Sequence, residues 1–221
     1  MIPAERCEPA KHLLIVIPSY TGKVAIETMA SVVCSQGIDF KVSFQSVSRD
    51  PYIDRARNAL VTHFLTETDA TDLLFIDDDL GFPLDAIAKI GHSTRPFVGG
   101  VYRTKDEKIH FPVDFLDGPK IRDEDGLLEV SMIPTGFLRL NRSVFDFIHH
   151  VVYENQGRKQ LGFFKTLMGD GKYVGEDVAF CHEYRGAGGK IFCMPDLTFQ
   201  HVGLKTYEGN LHQHLAEKEN M

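Results

Sequence analysis

The chain reads as an α/β protein built on a mostly parallel, Rossmann-like nucleotide-binding sheet, with a smaller antiparallel portion behind it. Three observations predict this. First, residues 13–17 (Leu-Leu-Ile-Val-Ile) and 73–76 (Leu-Leu-Phe-Ile) are short, uninterrupted apolar runs closed by breakers, the pattern of strands buried on both faces. Second, segments with helical apolar spacing alternate with these strands through short connections, a β-α-β-α-β order that implies right-handed crossovers and parallel pairing. Third, beyond Gly99-Gly100 the apolar runs give way to alternating strands separated by turns.

Taken in order, residues 13–17 form the first strand, closed by Pro18-Ser19-Tyr20-Thr21-Gly22, and residues 24–35 carry helical spacing that stops at Gly37. Residues 40–44 alternate as a second strand, and 54–65 place Ala56, Ala59, Leu60 and Phe64 on one helix face. The strand at 73–76 runs into Asp77-Asp78-Asp79, with Gly81 and Pro83 behind it. A short helix over 84–90 and a strand at Phe97-Val98 complete the first half. Residues 105–129 are polar and turn-rich, a hairpin or a mobile loop. Strands at 128–132 and 137–140 flank Pro134-Thr135-Gly136. The pattern then predicts a helix over 143–152, a glycine-rich lid with exposed aromatics over 157–172, and a helix over 176–185 stopped by Gly186, Gly188 and Gly189. A last strand at 191–194 and the run 197–200 lead into His201, and the charged tail from Leu211 is expected to fray. This is one domain over 1–221, divided into halves at 12–98 and 99–209 with a tail at 210–221.

Composition bounds the function. Apolar residues make up 43% and charged residues 25% of the 221 residues, ordinary values for a soluble globular protein. A net charge of -7 argues against a large nucleic-acid-binding face. No apolar run approaches a membrane span, and the N-terminus lacks the basic-then-apolar order of a signal peptide. Cys7, Cys34, Cys181 and Cys193 show no CxxC pairing, which reads as free thiols in a reducing, cytoplasmic setting.

Four features carry the chemistry. Asp77-Asp78-Asp79 sits where a buried strand meets the edge at which ligands of such sheets bind. Adjacent carboxylates need bulk water or a cation, so the triplet is either a solvated turn or a divalent-metal site. If the chain stays extended, Asp77 and Asp79 point the same way and can share one ion, with hard oxygen ligands that suit Mn2+ or Mg2+. Asp54-Arg55-Ala56-Arg57-Asn58 opens a helix, where a helix N-terminus and guanidinium groups suit a phosphate, or where the arginines simply make surface ion pairs. Gly175-Glu176-Asp177 opens another helix, and its acids serve either as caps or as a general base. His201-Val202-Gly203 follows a strand and is either a hydrogen-bonded core histidine or a metal ligand.

That ordered set resembles the GT-A fold glycosyltransferases, especially compact family-2-like enzymes of bacteria and viruses. Residues 15–20 (Ile-Val-Ile-Pro-Ser-Tyr) look like their opening strand and nucleotide-contacting loop. Arg55-Ala56-Arg57-Asn58 and the 73–82 run look like their arginine-bearing helix and DxD motif, and Gly99-Gly100-Val101-Tyr102, Thr135-Gly136-Phe137, Gly175-Glu176-Asp177 and His201-Val202-Gly203 follow in the expected sequence. The similarity covers residues 12 to 209. It implies a metal-dependent transfer of a sugar from a nucleoside-diphosphate sugar to an acceptor hydroxyl, with inversion. Asp77, Asp79 and His201 would hold Mn2+ or Mg2+. Pro18, Ser19, Tyr20, Arg55, Arg57, Asn58, Asp77 and Asp78 would hold the donor. Gly99, Gly100, Tyr102, Thr135 and Gly136 would line the acceptor side, and Asp177, beside Glu176, would be the base. The acceptor would be a saccharide, with a hydroxylated DNA base as the other candidate.

Two other readings share these residues. A haloacid-dehalogenase-like phosphatase also has a strand ending in DxD, but Gly81 stands where that motif needs Thr or Val, and the strand here is the third rather than the first. A non-catalytic nucleotide-sugar-binding module would not need the acidic and histidine positions. A sugar nucleotidyltransferase would need a glycine-rich loop after the first strand, which Ser19-Tyr20-Thr21-Gly22 does not match.

Overall fold

The structure is a computed structural model describing residues 2–169 and 171–219. Strand β1 (His12–Ser19) is buried along its whole length because its apolar run is covered on both faces of the sheet. Helix α1 (Ile26–Val33) leads to β2 (Lys41–Ser48), and α2 (Ile53–Glu67) leads to β3 (Asp72–Ile76), again fully buried. β1 pairs in parallel with both β2 and β3, Leu13 lying opposite Val42 and Asp72. The expected β-α-β-α-β unit is present.

A two-residue strand β4 (Leu80–Gly81), helix α3 (Ala86–His92) and β5 (Phe97–Gly100) follow. The polar 105–127 stretch is largely loop, with one short strand β6 (Asp114–Phe115) before β7 (Leu128–Met132) and β8 (Phe137–Asn141). Next come a 3-10 turn (Arg142–Phe147), a hairpin of β9 (Val151–Asn155) and β10 (Arg158–Gly162), and a smaller hairpin of β11 (Leu167–Gly169) and β12 (Lys172–Val174). Helix α4 (Glu176–Gly186), β13 (Ile191–Met194), β14 (Thr198–Val202), β15 (Thr206–Asn210) and α5 (Leu211–Glu219) complete the chain.

The main sheet has eight strands in the order β2-β1-β3-β8-β5-β13-β7-β6. It is mixed rather than mostly parallel. β8 inserts antiparallel between β3 and β5, and β7 runs antiparallel to β13 and β6. Parallel pairing is confined to β1 with β2 and β3 and to β5 with β13. Side-chain period is the same in both kinds of strand, and direction is set by the connection, so a strand entered without a crossover helix is free to run either way. A separate three-stranded sheet, β15-β14-β4, stands beside the end of β3.

Two apolar layers cover the sheet. One joins Leu14, Val16, Phe75 and Phe97 to Leu60 and Phe64 of α2 and Phe180 and Tyr184 of α4. The other joins Leu13, Ile15, Leu74 and Val98 to Ile87 and Ile90 of α3. Within the sheet, the Arg139 and Asp72 side chains are fully buried and meet at 2.6 Å. Asn141 and Thr71 also donate to Asp72, at 3.1 and 2.7 Å, so the carboxylate is fully served by donors.

Three sequence expectations are corrected here. The helix over 143–152 stops at Phe147, because Gln156 and Gly157 adopt left-handed φ values of 51° and 74° and turn the β-branched 151–155 stretch into a hairpin. The 157–172 lid does not expose its aromatics: Phe163 and Phe164 are each 1% exposed and belong to the core. The tail is helical from Leu211, whose side chain is buried. Asp170 of the lid, and residues 220 and 221 of the tail, lie outside the described residues. Among those described, no helix is long and apolar enough to cross a membrane.

Candidate active site at the end of the central strand

β3 ends at Ile76, and the chain turns immediately through Asp77-Asp78-Asp79 before β4. The turn is tied on three sides. Asp77 N donates to Gly136 O at 2.9 Å, Ala25 N to Asp78 O at 2.7 Å, and Val202 N to Asp79 O at 2.8 Å. Because the chain turns here, the alternation of an extended strand does not apply, and the three carboxylates face three different sets of partners.

Asp77 faces Arg57 and Tyr102. Arg57 approaches Asp77 Oδ1 at 3.4 Å, and the Tyr102 hydroxyl donates to Asp77 Oδ2 at 3.1 Å. Burial, with the adjacent Asp77 charge, holds the Tyr102 phenol well above its ordinary pKa, so it remains a donor. Gly136 belongs here for a steric reason: a Cβ at this position would fall 2.2 Å from Tyr102 Oη. Asp78 lies beside Ser19, and burial raises its pKa, assisted by the neighbouring Asp79 and Asp77 charges.

Asp79 faces Lys105 and His201. β14 pairs with β4 so that His201 stands opposite Leu80, which brings the imidazole to the end of the triplet. His201 Nδ1 donates to Arg103 O at 2.9 Å, and its Nε2 faces Asp79 Oδ1 at 3.5 Å, an ion pair when the ring carries its second proton. The Lys105 ammonium bonds Asp79 Oδ2. Gly203 makes room for the lysine stem, since a Cβ there would sit 3.1 Å from Lys105 Cδ. Burial pushes Asp79 up, but the bonds from His201 and Lys105 more than reverse this and hold it below the ordinary carboxylate value.

On the other side, buried Arg57 links Asp77 to Glu176, the first residue of α4. Burial raises the Glu176 pKa, Arg57 opposes the rise and Asp177 adds to it. Asp177 Oδ1 accepts from Val178 N at 2.8 Å, and no bond to its Oδ2 is made among the described residues. The Arg57 guanidinium lies 6.0 Å from the centre of the Phe164 ring. Phe164 also lines a cavity of about 340 Å3 at the start of α2, together with Tyr52, Arg55, Tyr153 and Lys165. A larger cavity of about 780 Å3, between α3 and the segment after β13, touches none of the triplet.

The structure therefore brings together Arg57, Asp77, Asp79, Tyr102, Gly136, Glu176 and His201, with Asp78, Ser19 and Asp177 adjoining. Others are placed elsewhere. Arg55 is ion-paired with Asp50 at 2.7 Å and stacks on Tyr52. Asn58 is buried and spends its amide on the chain at Phe163 and Phe164, a structural role rather than a donor contact. Gly99 and Gly100 are core positions of β5, where a Cβ would meet Phe137 O at 2.7 Å and the Phe199 ring at 2.2 Å. Pro18 is buried in β1, Thr135 is buried in the β7–β8 link, and Tyr20 is exposed. Lys105 was missed: one lysine in a polar loop carries no local sign that it will reach Asp79.

The expected ligand set for Mn2+ or Mg2+ is not assembled by these residues. Asp79 and His201 supply two donors, but Asp77 turns to Arg57 and Tyr102, and Lys105 already lies on Asp79. Among the described residues, no three His, Cys, Asp or Glu side chains form a group suited to a metal ion.

No family model and no curated protein matches the chain. Among solved structures, it is similar to A197 from STIV, with a TM-score of 0.58 and 20% identity over 87% of this chain and 86% of that one. At this identity the likeness is one of fold.

Proposed function

We propose that the chain is a glycosyltransferase of the GT-A type that moves a sugar from a nucleoside-diphosphate donor to an acceptor hydroxyl, with inversion. The observation that carries this reading is the meeting at the end of β3 of residues far apart in sequence: Arg57 with Asp77 and Glu176, and Asp79 with Lys105 and His201. The β-α-β-α-β unit that delivers β3 to this edge, with α2 behind it, is the arrangement in which a nucleotide is expected to lie.

Sugar transfer needs negative charge on the departing diphosphate to be stabilised as it develops. Arg57 and Lys105, each on a carboxylate of the same turn, are the cations that would meet that charge. Glu176 orients Arg57, and Tyr102 fixes the Asp77 carboxylate. Asp177, with an oxygen not committed to its helix, accepts the proton of the acceptor hydroxyl. The acceptor we propose is a saccharide.

The test is a thermal-shift screen of nucleoside diphosphates and their sugars with and without Mn2+, followed by a transfer assay on whichever donor binds. A native-state ligand at about 100 times its dissociation constant adds roughly 2.7 kcal/mol of stability. Asp79→Ala, Asp77→Asn and Asp177→Asn are each expected to cut turnover by about a hundredfold or more while the fold survives. Transfer that persists in all three variants, or a donor that binds but never turns over across a broad acceptor screen, would overturn the proposal.

A further inference from the structure

Helix α1 is inside out. Its buried positions are polar: the Ser31 hydroxyl bonds Phe82 O at 2.9 Å and receives Phe82 N at 2.9 Å, and the Thr28 hydroxyl lies 3.3 Å from Asp78 O. These bonds pin the turn after β3. The apolar stripe at helical spacing, Ile26, Met29 and Val33, is 75%, 44% and 72% exposed. The helix is therefore held by Thr28, Ser31 and Val32, and the Ile26-Met29-Val33 stripe is left over.

The neighbouring strand has the same excess. β2 ends the sheet, and not one of its eight residues is buried, whereas all eight of β1 are. Val42 and Phe44 pair with Leu13 and Ile15, so they share the sheet face on which Val24, Val32 and Ile38 pack. They are 40% and 56% exposed. The α1 stripe and these two residues lie on the same side of the sheet, and their exposed areas add up to the order of 500 Å2. The β2 edge is also unguarded. It has no proline, and its one charged residue is Lys41 at the start, although exposed edges are usually blunted by such devices.

We infer that this flank is a two-fold interface between two copies of the chain, with β2 pairing antiparallel to its counterpart and the two α1 stripes closing over Val42 and Phe44. A second copy supplies what the flank lacks: a strand for the free backbone donors and acceptors, and a matching apolar stripe. A lipid surface supplies no such strand. The charges nearest the patch are mixed, Lys23 and Lys41 against Glu27 and Asp39, so nothing favours an anionic bilayer. A two-fold pairing doubles the apolar contribution to about 1,000 Å2 before backbone and rim are counted, enough for a stable interface.

The test is sedimentation velocity and light scattering on the full chain between about 1 and 100 µM. The expected result is a species of twice the 24.9 kDa chain mass. Phe44→Lys and Val33→Glu should each weaken the dimer by about tenfold or more while leaving circular dichroism unchanged, because both side chains face solvent in the single chain. Met29→Lys is a third, independent probe of the helix stripe. A chain that stays monomeric at the highest concentration overturns the inference, as does a dimer that survives all three changes. Pelleting of a monomeric chain with phosphatidylcholine–phosphatidylserine vesicles, abolished by the same variants, would assign the flank to lipid and overturn it equally.

Discussion

A single methyl group at Gly136 should dislocate the centre of the candidate site. Its Cβ would stand 2.2 Å from Tyr102 Oη and 2.3 Å from Asp77 Oδ2, against an ordinary contact of about 3.5 Å. The backbone at Gly136 is outside the left-handed region, so the effect is steric and not conformational. Tyr102 has little room to retreat: it is 7% exposed, with the rings of His201 and Phe199 edge-on at 4.9 and 6.1 Å. Either the phenol or the carboxylate must move by about 1 Å, and the 3.1 Å bond between them is lost. Overpacking costs roughly 1–3 kcal/mol and a bond to a charged acceptor about 1.5–3 kcal/mol. The two overlap, so Gly136→Ala should lose about 2–4 kcal/mol. At this chain length that lowers the melting temperature by roughly 5–15 °C. The assay is thermal unfolding of Gly136→Ala alone and combined with Tyr102→Phe. Removing the hydroxyl relieves the shorter clash, so the pair should be less damaging than the sum by about 1 kcal/mol. A loss smaller than about 2 °C, or strict additivity, would refute the contact among Gly136, Tyr102 and Asp77.

Three other outcomes are expected. Arg139→Met or Asp72→Asn strands one member of a fully buried pair and should cost about 3–5 kcal/mol in chemical denaturation. Asn58→Ala removes the side chain that receives Phe163 N and Phe164 N and donates to Phe164 O. It should lose about 2–4 kcal/mol and speed amide exchange at residues 163 and 164. Asp79 has a folded pKa below 3.8, because the bonds from His201 and Lys105 outweigh the upward push of burial. It binds fewer protons folded than unfolded, so its stabilisation is present above pH 3.8 and is lost as pH falls through the lower folded value. Melting curves between about pH 2 and 5 should show an acid limb that Asp79→Asn makes shallower, and an unchanged limb would count against the bonds to Asp79.

Much of the first half was legible locally. The runs at 13–17 and 73–76 are strands because uninterrupted apolar residues bounded by Pro, Gly and Asp have no other stable use at that length. α2 and α4 begin within a residue of the expected positions, and the acidic start of α4 is present. The hairpin of β9 and β10 was missed because 143–152 contains both a helical spacing and a β-branched run, and the left-handed turn at Gln156-Gly157 decides between them. Arg55 and Asn58 looked equivalent to Arg57 in the sequence. On the folded helix they point to Asp50 and to Phe163–164, and Arg57 alone among them reaches the triplet.

The sequence by itself determined the buried strands β1 and β3, the helices α2 and α4, where the carboxylates fall at the end of β3, and that His201 follows a strand. These depend on the period and breakers of a few adjacent residues. Tertiary structure alone decided that β8 enters antiparallel between β3 and β5, that Lys105 and His201 share Asp79, and that α1 turns its apolar stripe outward. Those outcomes depend on which distant elements pack together, and a side chain's neighbours across a hundred residues leave no trace in the pattern around it.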